Sequence, residues 1–146
     1  MSPIRASELL SLPVRLHGIQ LGRPADLLLD RSELRAVGLD VHCGDDIHRF
    51  LPLLTALVKP DEICIRSPLV MLEEDELAFY RARSFGLATL RGRGVERSGR
   101  PVGTLVDVIV ASDGSVPELV VDAAGSETRI PYDEKVRVVP KNRSAA

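Results

Sequence analysis

The chain has 146 residues and a mass of 15.9 kDa, enough for one ordinary domain or two small ones. Hydrophobic residues make up 45% and charged residues 27%, and 19 Lys and Arg against 21 Asp and Glu leave a net charge of -2. That balance excludes a polycation acting on nucleic acid through its overall field, but it leaves room for a local patch. No window approaches the roughly 18 consecutive apolar residues of a membrane-spanning helix. Met1-Ser2-Pro3-Ile4-Arg5 opens no apolar run of the signal-peptide kind, so the expected location is cytoplasmic.

In chain order, the first half reads as short strands: Val14-Leu16, Leu21 into Pro24-Asp30, Ala36-Val41, Arg49-Leu53 and Glu62-Arg66. His17-Gly18 is a weak hairpin signal, and Asp30-Arg31-Ser32-Glu33 lacks a glycine and reads as a short helical turn. Pro68 to Arg83 is different. Acids at 73–76 precede arginines at 81 and 83, which suits the two ends of a helix dipole and predicts one short linker helix ended by Ser84-Phe85-Gly86. The second half returns to strands: Gly94-Arg97, Gly103-Ala111, Val116-Asp122, Thr128-Tyr132 and Lys135-Val139. Ser98-Gly99 and Asp113-Gly114 are strong turn signals, because glycine enters the left-handed region without steric cost. The tail from Lys141 has nothing to bury and is expected to fray.

Short strands at this spacing imply a sandwich or a small barrel, and the second series repeats the first. With Gly22 placed on Gly103, an offset of 81 residues, Val14 falls on Val95, Asp26 on Asp107 and Leu27-Leu28-Leu29 on Val108-Ile109-Val110. After a skip of two residues, Phe50-Leu51-Pro52-Leu53 falls on Arg129-Ile130-Pro131-Tyr132. The expected organisation is unit 1 at 5–67, a linker at 68–87, unit 2 at 88–140 and a tail at 141–146. The expected core is aliphatic: Leu27, Leu29, Val37, Leu39, Leu51, Ile63, Ile65, Leu105, Val108, Val110, Leu119, Val121, Ile130, Val136 and Val138. Gly22 and Gly103 read as sites of close strand approach, and Pro52 and Pro131 as markers of an edge or bulged strand. Asp26 and Asp107 read as structural carboxylates, either hydrogen-bonded to a neighbouring loop or pointing outward.

These residues carry a family resemblance. Leu12-Pro13-Val14, Leu21-Gly22, Asp26-Leu27-Leu28-Leu29 and Leu51-Pro52-Leu53, echoed by Val102-Gly103, Asp107-Val108-Ile109-Val110 and Ile130-Pro131-Tyr132, resemble the PRC-barrel. That domain is named for the cytoplasmic part of the photosynthetic reaction centre H subunit, and it also forms the C-terminal part of a ribosome maturation factor. The resemblance implies an all-β chain of two tandem antiparallel barrels joined by a short helix, acting as a binding or assembly module. It supplies no catalytic residue. The longer stretch from His42 to Arg49 departs from the pattern.

Chemistry is sparse. There is no phosphate loop, dinucleotide fingerprint or nucleophile elbow. Five aromatic residues without tryptophan are too few for a base-stacking surface. Cys43 and Cys64, 21 residues apart, match neither a zinc knuckle nor a redox pair and read as reduced core residues. His42, Cys43, Asp45, Asp46 and His48 are metal-ligand types, but Gly44-Asp45-Asp46 is turn chemistry, and the segment reads as a solvated loop rather than a metal site. The clearest anomaly is charge. From 81 to 100 there are six arginines against Glu96 alone, a local +5 directly after four acids. Arg81, Arg83, Arg91, Arg93 and Arg97 are therefore the candidate residues for an acidic partner.

The functional expectation is a non-enzymatic adaptor, without cofactor or metal, that engages an unidentified protein partner near the linker and unit 2. Binding of RNA or a ribosome precursor is the second reading, and a homodimer is compatible with either.

Overall fold

The computed structural model describes residues 2–140; the expected tail at 141–146 lies outside them. In chain order the elements are β1 (Ile4–Arg5), α1 (Ala6–Leu9), β2 (Val14–Leu16), β3 (Ile19–Asp30), β4 (Ala36–Cys43), β5 (His48–Pro52), β6 (Leu57–Val58), β7 (Ile63–Ile65), α2 (Glu74–Ala82), β8 (Ser84–Gly86), α3 (Leu87–Leu90), β9 (Gly94–Arg97), β10 (Arg100–Val110), β11 (Glu118–Ala123), β12 (Ser126–Pro131) and β13 (Val136–Val138). Short 3₁₀ turns cover Leu53–Thr55 and Pro68–Val70. No described helix is long and apolar enough to cross a membrane.

The fold is mainly β, in two sheets. The N-terminal sheet runs β5-β4-β3-β2-β7-β6 and the C-terminal sheet β12-β11-β10-β9-β13. Five positions therefore follow the same order in both, but β7 lies parallel to β2 whereas β13 lies antiparallel to β9. Neither order closes on itself, so the ladders make open sheets rather than the closed barrels expected above. The two sheets share their interior instead. One buried cluster draws Leu27, Leu29, Leu39, Leu51 and Ile63 from the first and Leu105, Val108, Val110, Leu119 and Val121 from the second. Leu9 of α1 and Leu90 of α3 complete it. Val37, Ile130 and Val138, expected in the core, are only partly buried and pack at its margins. Cys43 is buried and Cys64 half-buried, both as free thiols.

Each sheet also takes one strand from the other half of the chain. β1 pairs with β10, Ile4 opposite Val110, and β8 pairs with β3, Phe85 opposite Leu29. The segment Ser84–Gly86 thus forms a strand rather than merely ending the linker helix. β3 and β10 allow this because each is long enough to carry two partners along one edge. β2 takes one end of β3 and β8 the other, as β9 and β1 do on β10.

Two bulges bend each long strand. Leu21 and Val102 are the extra residues against β2 and β9, and Ala25 and Val106 those against β4 and β11. Beside the first bulge, a Cβ on Gly22 would lie 2.5 Å from the His42 carbonyl, and one on Gly103 2.5 Å from that of Asp122, so neither position admits a side chain without backbone movement. His17-Gly18 and Ser98-Gly99 form two-residue hairpins with φ of 50° and 81°, and 51° and 80°. The Asp30–Glu33 turn is not helical; the Asp30 carboxylate accepts from the Ser32 amide at 2.8 Å and holds it as a side-chain turn.

Candidate functional site

The paired carboxylates lie where the halves interlock. Asp26 accepts from the Ala88 amide at 3.2 Å, at the start of α3, and from its own neighbour Leu27 at 2.9 Å. Asp107 accepts from the Ser7 amide at 3.3 Å, at the start of α1, and from Val108 at 2.9 Å. Each carboxylate thus satisfies an amide in the first turn of a helix from the other half. Asp107 is 1% exposed and also receives Arg5 Nε at 3.1 Å, which holds the Arg5 guanidinium above its ordinary value. At the position of Arg5 the other half has Gly86, which leaves room for the Asp26 carboxylate. Pro52 and Pro131 end β5 and β12, the outer strands of their sheets, where a missing N–H costs no ladder bond.

The five candidate arginines do not form one patch. Arg81, on α2, pairs with the buried Asp40 of β4, which also takes His48 Nδ1 at 2.7 Å. Arg83 lies over the Phe79 ring at 3.6 Å and donates to the Phe79 carbonyl at 3.0 Å. Arg91 donates to the Val106 carbonyl at 3.2 Å and stands 4.0 Å from Asp107. Arg97 faces Asp133 at 3.6 Å. Four of the five therefore spend their charge inside the molecule. Arg83 turns back on Phe79, four residues before it on α2, whereas the partners of Arg81, Arg91 and Arg97 sit on β4, β10 and the β12–β13 turn, where no spacing rule reaches them.

Arg93 is that fifth residue. Its backbone is fixed by the Leu90 carbonyl at 3.2 Å and the Leu105 amide at 2.8 Å, at the turn from α3 into β9. Its guanidinium lies 5.7 Å from the Phe85 ring centre, and Arg31 approaches the same ring at 5.1 Å. Among the described residues, Arg93 Nε is the one buried side-chain nitrogen or oxygen without a hydrogen-bond partner. A buried, unpaired guanidinium nitrogen is costly in a finished core.

Arg93 lines a cleft of about 690 Å³, in the range of ligand sites. Phe85 and Leu90 line it from the linker side, Arg31 to Leu34 from the β3–β4 turn, and residues 132–134 and 136–138 from the C-terminal sheet and its last turn. Burial pushes the Tyr132 phenol above its ordinary value, and the Glu33 carboxylate adds to that shift. Arg31 and Phe85 were not among the expected site residues. Arg31 lies 62 residues before Arg93 in the chain, and only the pairing of β8 with β3 brings both to one aromatic ring.

The His42–His48 segment is a hairpin: His42 and Cys43 end β4, His48 opens β5, and residues 44–47 make the turn. His42 and His48 stack with ring centres 4.9 Å apart, and His42 meets Asp46 at 3.2 Å. Asp45 is clamped by two Arg49 nitrogens at 2.9 and 3.1 Å, which lowers its carboxyl to about 2. These side chains pair with one another and with β4 rather than converging on a common point, and no group suited to a metal ion occurs among the described residues. No protein-family model matches the chain, and no curated protein matches its sequence.

Proposed function

We propose that the protein is a non-enzymatic adaptor or assembly module that binds a protein partner through the cleft between the linker strand β8 and the C-terminal sheet. The observation that carries this reading is Arg93, an arginine whose Nε is held buried and unpaired at an open cleft. The other candidate arginines are engaged within the molecule, which narrows the binding surface from a +5 segment to this one place and its neighbour Arg31.

The architecture proposed for this role is an internal duplication of a PRC-barrel-like unit with open rather than closed sheets. It is supported by the common strand order, by bulges at Leu21 and Val102 and at Ala25 and Val106, and by the reciprocal Asp26–Ala88 and Asp107–Ser7 contacts. Leu21 and Val102, Ala25 and Val106, Asp26 and Asp107, and Ser7 and Ala88 each stand 81 residues apart. The opposite direction of β7 and β13 marks where the copies have diverged.

The test is affinity capture of the tagged chain from soluble lysate of its host, with and without nuclease, repeated with Arg93→Glu and Arg31→Glu. The adaptor reading expects a defined protein that survives nuclease and is lost with either substitution. Capture that disappears on nuclease treatment overturns it in favour of the RNA reading. A partner indifferent to both substitutions removes the cleft as the site.

A further inference from the structure

The cleft runs beside an unpaired strand edge, and the other half of the molecule shows what such an edge accepts. In the N-terminal sheet, β7 is covered by β6, with Leu57 opposite Cys64 and Val58 opposite Ile63. In the C-terminal sheet the corresponding strand, β13, ends the order and no described strand covers it. Ladder geometry shows which of its groups are free. The Ser98 amide donates to the Lys135 carbonyl at 2.8 Å, and the Val139 amide donates to the Gly94 carbonyl at 2.7 Å. Alternation along an antiparallel ladder then directs the backbone groups of Lys135, Arg137 and Val139 toward β9, and those of Val136 and Val138 toward the open edge. The Val136 amide is taken by the Asp133 carbonyl at 3.1 Å, which leaves the Val136 carbonyl and both backbone groups of Val138 on the open edge.

We infer that the cleft takes an extended segment of a partner protein as an added strand on β13, with one Asp or Glu side chain of that segment held by Arg93 and Arg31 beside Phe85. This rests on the adaptor reading and specifies its mode. Main-chain pairing on β13 supplies affinity, and the carboxylate supplies selectivity. The charge arrangement favours one carboxylate over a polyanion. Arg93 and Arg31 have no acidic partner within 4.0 Å among the described residues, whereas the exposed Glu33 and Glu134 line the same cleft and oppose a run of phosphates. A single carboxylate on the guanidinium also gives the buried Nε its acceptor.

The experiment is selection of a random heptapeptide display library on the full chain, followed by titration of the best synthetic peptide. Expected is an Asp or Glu at a constant position among alternating apolar residues. Changing that acid to its amide weakens binding about tenfold in the native chain and little in Arg93→Gln, so the two losses do not add. N-methylation of every second peptide amide abolishes binding in one phase and spares it in the other, a readout that needs no change in the protein. An enriched peptide without an acid, equal binding by Arg93→Gln, or loss of binding from both methylation phases overturns the inference. So does tighter binding of oligouridylate at the same cleft, or a concentration-dependent dimer that Arg93→Gln dissociates. A library that enriches nothing, while lysate capture still yields an Arg93-dependent protein, removes strand addition and leaves the adaptor reading standing.

Discussion

The outer faces of the two sheets meet the same problem with different materials. On the N-terminal sheet, Leu28 and Phe50 are covered by α2, whose Leu77 is buried against them and whose Tyr80 stacks on Phe50 at 4.2 Å. On the C-terminal sheet, Ile109 and Val120 are 1% and 2% exposed and belong to neither buried cluster. Arg5 is paired in register with Ile109, and Arg129 with Val120. Arg5 ties to Asp107 and Glu127, and Arg129 to Glu118 at 3.9 Å. One face is therefore roofed by an aromatic and aliphatic layer, the other by aliphatic stems of charged side chains tied down at their tips. A roof of the first kind derives its strength from area removed from water. A roof of the second kind derives little from its exposed pairs and more from the one carboxylate that is buried.

The largest expected effect breaks the first roof. Phe50→Ala removes a fully buried ring and the partner of Tyr80, so urea denaturation loses about 3–5 kcal/mol and helical signal from α2 falls. Arg129→Ala, at the matching place on β12, costs less than about 1 kcal/mol. Equal losses at the two sites would show that the roofs are energetically alike.

Next come the interlocking carboxylates. Asp107→Ala strands the half-buried Arg5 and the Ser7 amide and costs about 3 kcal/mol, whereas Asp26→Ala, at a less buried carboxylate without an arginine, costs about 1 kcal/mol. The order of the two midpoints in one denaturation series checks this. Reversal would mean that the helix contact outweighs the ion pair.

A smaller effect of unusual sign is expected at Arg93. Two residues before the buried Val95, it occupies the place that core Leu12 holds before Val14. Arg93→Leu removes the unpaired buried nitrogen, so thermal unfolding shifts upward or stays level, by about 1 kcal/mol at most, while peptide capture at the cleft is lost. A clear drop in stability would show that Arg93 supports the fold.

The smallest effect separates the cysteines. Cys64 donates to Glu62 at 3.0 Å, and this contact, with burial second, lifts the thiol above its ordinary value of 9.0. A raised value leaves less thiolate at a given pH, so alkylation of Cys64 has its inflection above 9.0, and Glu62→Gln moves the inflection down and speeds reaction at pH 8. Cys43, buried in β4, stays slow in both. An unchanged pH–rate profile in Glu62→Gln would remove the carboxylate as the cause.

Local chemistry alone determined much of this protein. Val14–Leu16 and Gly94–Arg97 are strands at their expected bounds, because alternating apolar residues meet a glycine turn that sets hairpin register. The close approach at Gly22 and Gly103 and the linker helix over 74–82 were legible for the same reason: each is decided by residues within a few positions of one another. The hairpin at Ala124-Gly125 was not, since alanine gives no sign that it will adopt a φ of 54°. Tertiary structure alone decided the two- and three-residue strands β1 and β8, which have no periodicity to detect and exist because a distant strand has a free edge to satisfy them. It also decided which arginine is available. All six in the charged segment look alike in the chain, and only folding brings Asp40, Asp107 and Asp133 to Arg81, Arg91 and Arg97 while leaving Arg93 beside Phe85 with its Nε unpaired.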